Sequence, residues 1–134
     1  MSTVVMGILN VTPDSFADGG KHFSVKDAIA RAEAMIAEGV DIIDVGGEST
    51  KPGADRVSES EEEARVIPVI TELAKLGTPI SIDTTRASIA EKAIALGATY
   101  VNDVSGGLAD PAMYSIIAKN PKVQYIIMHW RAHS

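Results

Sequence analysis

The sequence predicts an α/β fold with parallel strands, and two observations carry that prediction. Five apolar runs each stop on a residue equipped for chemistry. They are Val4–Leu9 before Asn10, Ile42–Ile43 before Asp44, Ile80–Ile82 before Asp83, Tyr100–Val101 before Asn102 and Asp103, and Val123–Met128 before His129. One grammar also repeats three times: helix, glycine, short strand, acid. Glu38–Gly39 leads into Val40–Asp44, Leu76–Gly77 into Thr78–Asp83, and Leu96–Gly97 into Ala98–Asp103. Helical patterns between the runs make neighbouring strands parallel, so their C-terminal ends share one rim. In α/β proteins that rim is where ligands bind.

The elements follow in order. After the first strand, Val11–Phe23 resists assignment as helix or strand. Ser24 is a cap for a helix over Val25–Glu38, with Ile29, Ala32 and Ile36 as its apolar stripe. Gly39, Gly77 and Gly97 each fit the left-handed position just past a helix. Gly46–Val57 is the second unassigned stretch; like the first it carries Gly and Pro and is long for an α/β connection. Such loops on the C-terminal rim are commonly binding loops or lids. Ser58 and Glu61 form a capping box for a helix from Ser60 to Leu76, and Glu59, Glu61, Glu62 and Glu63 sit at the positive end of its dipole. Pro68 lies inside that helix and predicts a kink or a break. Thr85 or Arg86 starts the next helix, which runs to Leu96 with Ile89, Ala93 and Leu96 inward. Asp110–Pro111 caps and opens one more, to about Lys119.

Composition narrows the function classes. A chain of 134 residues is one domain by length, and 46% apolar residues suffice for a core despite only 4% aromatics. Val and Ile in short parallel strands supply it. Without cysteine there is no disulfide, thiol nucleophile or thiolate metal site. No run reaches the length of a membrane span, and Met1–Gly7 lacks a signal-type pattern, so a cytoplasmic protein without a membrane partner is expected. The net charge of −6 and the lack of a basic stripe argue against nucleic acid. Anionic small molecules stay open, because helix N-termini, a few cations or a metal override a negative total.

Two architectures use this βα grammar. Length alone suggests a five-stranded flavodoxin-like sheet. A (β/α)8 barrel takes about 250 residues, and in favour of it the chain stops just after its fifth strand with no helix to cover that strand. Periodicity does not choose between them.

The motifs do. Ile8-Leu9-Asn10-Val11-Thr12-Pro13-Asp14-Ser15-Phe16-Ala17-Asp18-Gly19-Gly20 is far more specific than a generic loop. With Asp44-Val45-Gly46-Gly47-Glu48-Ser49-Thr50-Lys51-Pro52-Gly53-Ala54, Ser81-Ile82-Asp83-Thr84 and Val101-Asn102-Asp103-Val104, it resembles the dihydropteroate synthase family from Val4 to Arg131. The resemblance implies the amino-terminal half, about five strands and four helices, of a (β/α)8 TIM barrel. Residues 1–134 then form one partial pterin-binding domain ahead of the carboxy-terminal half. It further implies condensation of 6-hydroxymethyl-7,8-dihydropterin diphosphate with 4-aminobenzoate in folate synthesis, a Mg²⁺ cofactor, a homodimeric full-length parent and a sulfonamide target.

Carried over residue by residue, the resemblance gives Asn10 as the ligand of the Mg²⁺ that carries the diphosphate. An amide oxygen suits a hard cation that keeps much of its water; the plainer reading is an Asx-turn before Thr12-Pro13. Asp18 matches an acidic loop residue near the metal and the cationic intermediate, with Asp14 its rival. Asp18 and Asp83 carry the catalytic parts. Phe16 resembles the aromatic that closes over the aminobenzoate ring, and Gly19 and Gly20 would let that lid swing. Thr50 and Ser49 match diphosphate contacts, and Pro52 shapes the aminobenzoate pocket. Lys51 stands where the family often has Arg and loses bidentate geometry. Gly46 and Gly47 read as backbone permissiveness.

Asp83 and Asn102 match the pterin anchors at the tips of strands three and four. A carboxylate accepts two of the ring donors, and an amide both gives and accepts. Asp83 alone is also a plausible helix cap. Asp103 ranks below as an orienter of Asn102 or a backbone acceptor, and Val104 and Met128 are apolar walls or core. Arg86 could meet an anion at the helix start but reads better as a surface residue, and His129 receives no catalytic role.

In the implied reaction diphosphate leaves a CH₂ carbon on the pterin and the arylamine attacks. The family's second half supplies another Asp, a Lys-containing segment, and an Arg and a His, none of which this sequence contains. The isolated chain is therefore expected to have little synthase activity, with its outer strands prone to pairing with another copy. Two rival readings remain: a pterin-dependent methyltransferase and a non-catalytic pterin-binding paralogue.

Overall fold

The computed structural model describes residues 4–11, 25–47 and 57–126. Apolar runs of three to five residues become strands β1 (Met6–Asn10), β2 (Ile42–Gly46), β3 (Ile80–Asp83), β4 (Tyr100–Asn102) and β5 (Gln124–Ile126). The periodic segments become helices α1 (Val25–Ala37), α2 (Glu59–Leu73), α3 (Ala87–Leu96) and α4 (Met113–Lys119), with a 3₁₀ turn at Ala74–Leu76 after α2.

All strand pairs are parallel and the order is β1-β2-β3-β4-β5. A flavodoxin-like sheet would place its first strand between the second and third. Here each strand adds on the same side, and right-handed crossovers then lay every connecting helix on one face. α1 packs on β1 and α2 on β2, with α1, α2, α3 and α4 touching in sequence. Winding in a single direction is the geometry of a barrel wall.

Register separates the two faces. Leu9, Val45, Ile82 and Val101 form one row, all fully buried. They meet Ala28 and Ala32 of α1, Val66, Val69, Ile70 and Leu73 of α2, Ile89 and Ala93 of α3, and Met113 of α4 in one core. Side chains alternate along a strand, so the opposite face carries Asn10, Gly46, Asp83 and Asn102 in its upper row. Ile8, Asp44, Ser81 and Tyr100 form the row beneath.

The helix ends bear out the local reading. Gly39, Gly77 and Gly97 all have positive φ, at 101°, 81° and 124°. Ser58 caps α2 by accepting the Glu61 N–H at 3.2 Å. The last helix departs from the reading: α4 opens at Met113 with Ala112 as its cap, and Asp110 and Pro111 lie in the turn before it, where Asp110 accepts the Ala112 N–H at 3.0 Å. Ser24 lies outside the described residues. Ala32 is buried as read, with Ile29 and Ile36 partly so, while Ala28 joins them.

Two further expectations are corrected. Of the kink or break expected at Pro68, the break does not occur: α2 is continuous through it. The proline removes one N–H, and the Ala64 carbonyl that loses its partner is on the exposed side, as is Pro68 itself. Water can satisfy that carbonyl while the buried stripe of α2 holds the helix on the sheet. The second strand does not end at Asp44: β2 continues to Gly46, which leaves Asp44 two residues below the rim.

Candidate functional site

The strand tips bring together three of the residues singled out in the sequence. Asn10 pairs with Gly46, Gly46 with Asp83, and Asp83 with Asn102. Asn10 is exposed, Asp83 half-buried and Asn102 buried. Asp18, Asp14, Phe16, Ser49, Thr50, Lys51, Pro52, Met128 and His129 lie outside the described residues.

Gly46 matters here through space, not through φ. Neither it nor Gly47 has a positive φ, which corrects the reading of backbone permissiveness. A Cβ on Gly46 would stand 3.4 Å from both Cβ and Oδ2 of Asp83. Lacking one, β2 leaves the Asp83 carboxyl a place beside it. A Cβ on Gly47 would meet Val66 Cγ1 at 2.8 Å and the Glu62 carbonyl at 3.2 Å, so Gly47 is where α2 approaches the strand end closely.

Asp44 is the member that strand-end reasoning misplaced. Only 1% exposed, it accepts a long 3.4 Å hydrogen bond from Asn102 Nδ2. The signal was present: in Ile42-Ile43-Asp44-Val45-Gly46, alternation puts Asp44 and Gly46 on one face and Ile43 and Val45 on the other. Burial raises the Asp44 pKa, and the neighbouring polar side chains of Ser81, Asn102 and Asp83 partly offset this. Asp83 is pushed up to about 7, first by burial and then by the negative charges of Asp44, Glu62 and Asp103. Two carboxyls this close resist ionising together.

Behind Asp83 lies a second polar group. Glu62, 2% exposed, accepts from Thr84 Oγ1 and from Arg86 Nη1, each at 2.6 Å. Arg86 is thus part of a largely buried ion pair and not a surface residue. Its Nη2 also donates to the Val57 carbonyl at 2.7 Å, and Arg65 Nη1 donates to the Gly47 carbonyl at 3.0 Å. The N-terminal N–H of α3 on Ala87 donates to Asp110, so Asp83 is not its cap.

Asp103 is a loop staple. Its Oδ1 accepts from the Ser105 N–H and hydroxyl, and its Oδ2 from the Gly107 N–H at 3.0 Å and the Tyr125 hydroxyl at 3.0 Å. Burial and this neighbouring carboxylate raise the Tyr125 pKa. Val104 is exposed at the rim and no part of the core. Among the described residues no three His, Cys, Asp or Glu side chains stand together as a metal cage.

A singly wound parallel sheet with amides and carboxylates aligned on its C-terminal rim defines a small-ligand site of the α/β-barrel kind. The chain belongs to the pterin binding enzyme family, whose sequence model matches residues 6–134. It is 55% identical over 130 residues to dihydropteroate synthase of Bacillus subtilis (strain 168), across 96% of this chain and 45% of that protein. Among solved structures, it is similar to dihydropteroate synthase from Clostridium difficile in the presence of pteroic acid. There the TM-score is 0.89 and the identity 52%, covering 96% of this chain and 49% of that one. The Xanthomonas albilineans enzyme with 4-aminobenzoic acid matches with a TM-score of 0.85 and 46% identity, over 94% of this chain and 46% of its own. The chain thus spans about half the length of these relatives, and its five strands are the first part of their barrel.

Proposed function

We propose that this chain is the pterin-holding part of a dihydropteroate synthase. The protein that carries it joins 6-hydroxymethyl-7,8-dihydropterin diphosphate to 4-aminobenzoate. The observation that carries this reading is the adjacency of Asp83 and Asn102 on one rim beside the side-chain-free Gly46. An ionised Asp83 accepts ring N–H and amino donors, and Asn102 supplies a further polar contact, a match that an unlike heterocycle would leave unpaired. Likeness to a synthase solved with pteroic acid and to another solved with 4-aminobenzoic acid supports the same substrates.

Chemistry follows from the substrates. The C–O bond to diphosphate breaks, a C–N bond to the arylamine forms, and that nitrogen sheds a proton. The site's tasks are to hold the pterin, offset charge and exclude water. Asn10 suits a hard cation: the residue is exposed at the rim, and an amide oxygen is a ligand such an ion takes alongside water and phosphate. Mg²⁺ held there would neutralise the departing diphosphate. Asp18, Ser49, Thr50, Phe16, Pro52 and Met128 belong to the same reading as contacts to leaving group, aminobenzoate and pterin. So do sulfonamide sensitivity, a homodimeric parent and a cytoplasmic setting.

The test is titration of the intact protein with the pterin diphosphate, with and without Mg²⁺, followed by 4-aminobenzoate. Expected is Mg²⁺-dependent binding and release of diphosphate and dihydropteroate in equal amounts. Binding of a methylated pterin without dependence on diphosphate or Mg²⁺ would overturn it in favour of methyl transfer. Binding without turnover would mark a non-catalytic relative.

A further inference from the structure

Asn102 can turn either its oxygen or its NH₂ toward a ligand, and one neighbour decides which. Asp44 lies on the adjoining face row of β2, 1% exposed, with Oδ2 at 3.4 Å from Asn102 Nδ2. The Asp44 oxygen that faces the amide accepts from it, so it selects the NH₂ and turns the Asn102 oxygen away from itself. That oxygen is buried and, among the described residues, has no hydrogen-bond partner. A buried acceptor without a partner calls for a donor, and Asn102, at the tip of β4, stands where a ligand can bring one. Gly46, between Asp44 and the rim, adds no side chain that could shield that oxygen.

We propose that Asp44 is a positioning residue that locks the Asn102 amide with its oxygen toward the heterocycle, thereby fixing an acceptor where the ring must offer a donor. This rests on the pterin reading of the site. It adds a specificity rule: a flat heterocycle with an N–H or amino group facing Asn102 is bound, and an isostere with a bare ring nitrogen there is refused.

The experiment uses the intact protein, 6-hydroxymethylpterin as probe, and calorimetry. Asp44→Asn keeps the volume but presents an NH₂ of its own, so the Asn102 amide loses its imposed orientation. Expected is a loss of pterin affinity of tenfold or more, while in an Asn102→Ala background the same change costs less than twofold. Equal losses in both backgrounds, or affinity within twofold of the unaltered protein, would overturn the proposal. Where Asp44→Asn fails to fold, the Asn102 side-chain amide resonances of the unaltered protein decide. They should stay nearly unmoved as pterin is added, because the NH₂ faces Asp44; a large ligand-induced shift of those protons would overturn it. If the unaltered protein binds no pterin, the functional reading itself fails and this inference with it.

Discussion

Glu62 of α2 and Arg86 at the start of α3 form an ion pair 2.6 Å long, with the carboxylate 2% and the guanidinium 18% exposed. Burial makes this pair asymmetric in its consequences. Removing the arginine strands a charge that water cannot reach, and Thr84 alone does not compensate it. Arg86→Met is therefore expected to destabilise the fold by about 3 kcal/mol, the lower end for a broken buried pair. Glu62→Gln, which keeps an acceptor for Thr84 and Arg86, should cost less. Urea midpoints of the two variants check the order, and equal midpoints would place the pair in solvent.

That pair also shows what sequence reading reaches. Gly39, Gly77 and Gly97 were legible because a left-handed residue after a helix is a local requirement. Asp83 and Asn102 were legible because strand tips in parallel βα units share a rim. The sequence makes Arg86 a surface residue, since nothing near it reveals Glu62 twenty-four positions earlier. The chain's periodicity was equally compatible with two windings; the motif resemblance, and then the strand order, chose the barrel. The sequence reads Pro68 as a kink or a break because propensity is a local rule, and the burial of Val66, Val69 and Ile70 against the sheet prevents the break.

Gly46 and Gly47 are neighbours with opposite expectations. At Gly47 a methyl would press on Val66 Cγ1 at 2.8 Å and on backbone oxygen at 3.2 Å, so Gly47→Ala should cost about 1–3 kcal/mol as overpacking. At Gly46 the nearest atoms are at ordinary contact distance, 3.4 Å, so Gly46→Ala should change stability by no more than about 0.5 kcal/mol. Its methyl nevertheless stands beside the Asp83 carboxyl. Pterin affinity should fall severalfold for Gly46→Ala, read by calorimetry next to a thermal melt of each variant.

Pro68→Ala should stabilise the protein. Alanine restores the N–H that the Ala64 carbonyl lacks and removes the ring, a change worth up to about 3 kcal/mol in a helix interior. The exposed setting lets water offset part of that, and proline's stiffening of the unfolded chain offsets more. A net gain of about 1 kcal/mol is expected, visible as a higher denaturation midpoint with an unchanged slope. A lower midpoint would mean that the helix is bent at Pro68 to fit its neighbours.

The raised pKa of Asp83 makes stability and ligand binding respond to pH in opposite directions. In the fold this carboxyl titrates at about 7, against an ordinary value of 3.8, because it is buried and faces Asp44 and other negative charges. Between those two values the folded chain holds a proton that the unfolded chain has released. Stability therefore falls as pH rises through this window and levels off above about 7. Each pKa unit corresponds to about 1.4 kcal/mol, and the half-buried setting reduces the total. Asp83→Asn should thus be neutral near pH 4 and stabilising by about 1–3 kcal/mol at pH 8. Pterin binding runs the other way, since ring donors need the ionised carboxylate. Affinity should rise about tenfold from pH 6 to pH 8, with about half a proton released on binding near the midpoint. Asp83→Asn should bind weakly at both values with no slope between them. A variant that keeps the slope would transfer the titration to another group, with Asp44 the first to examine.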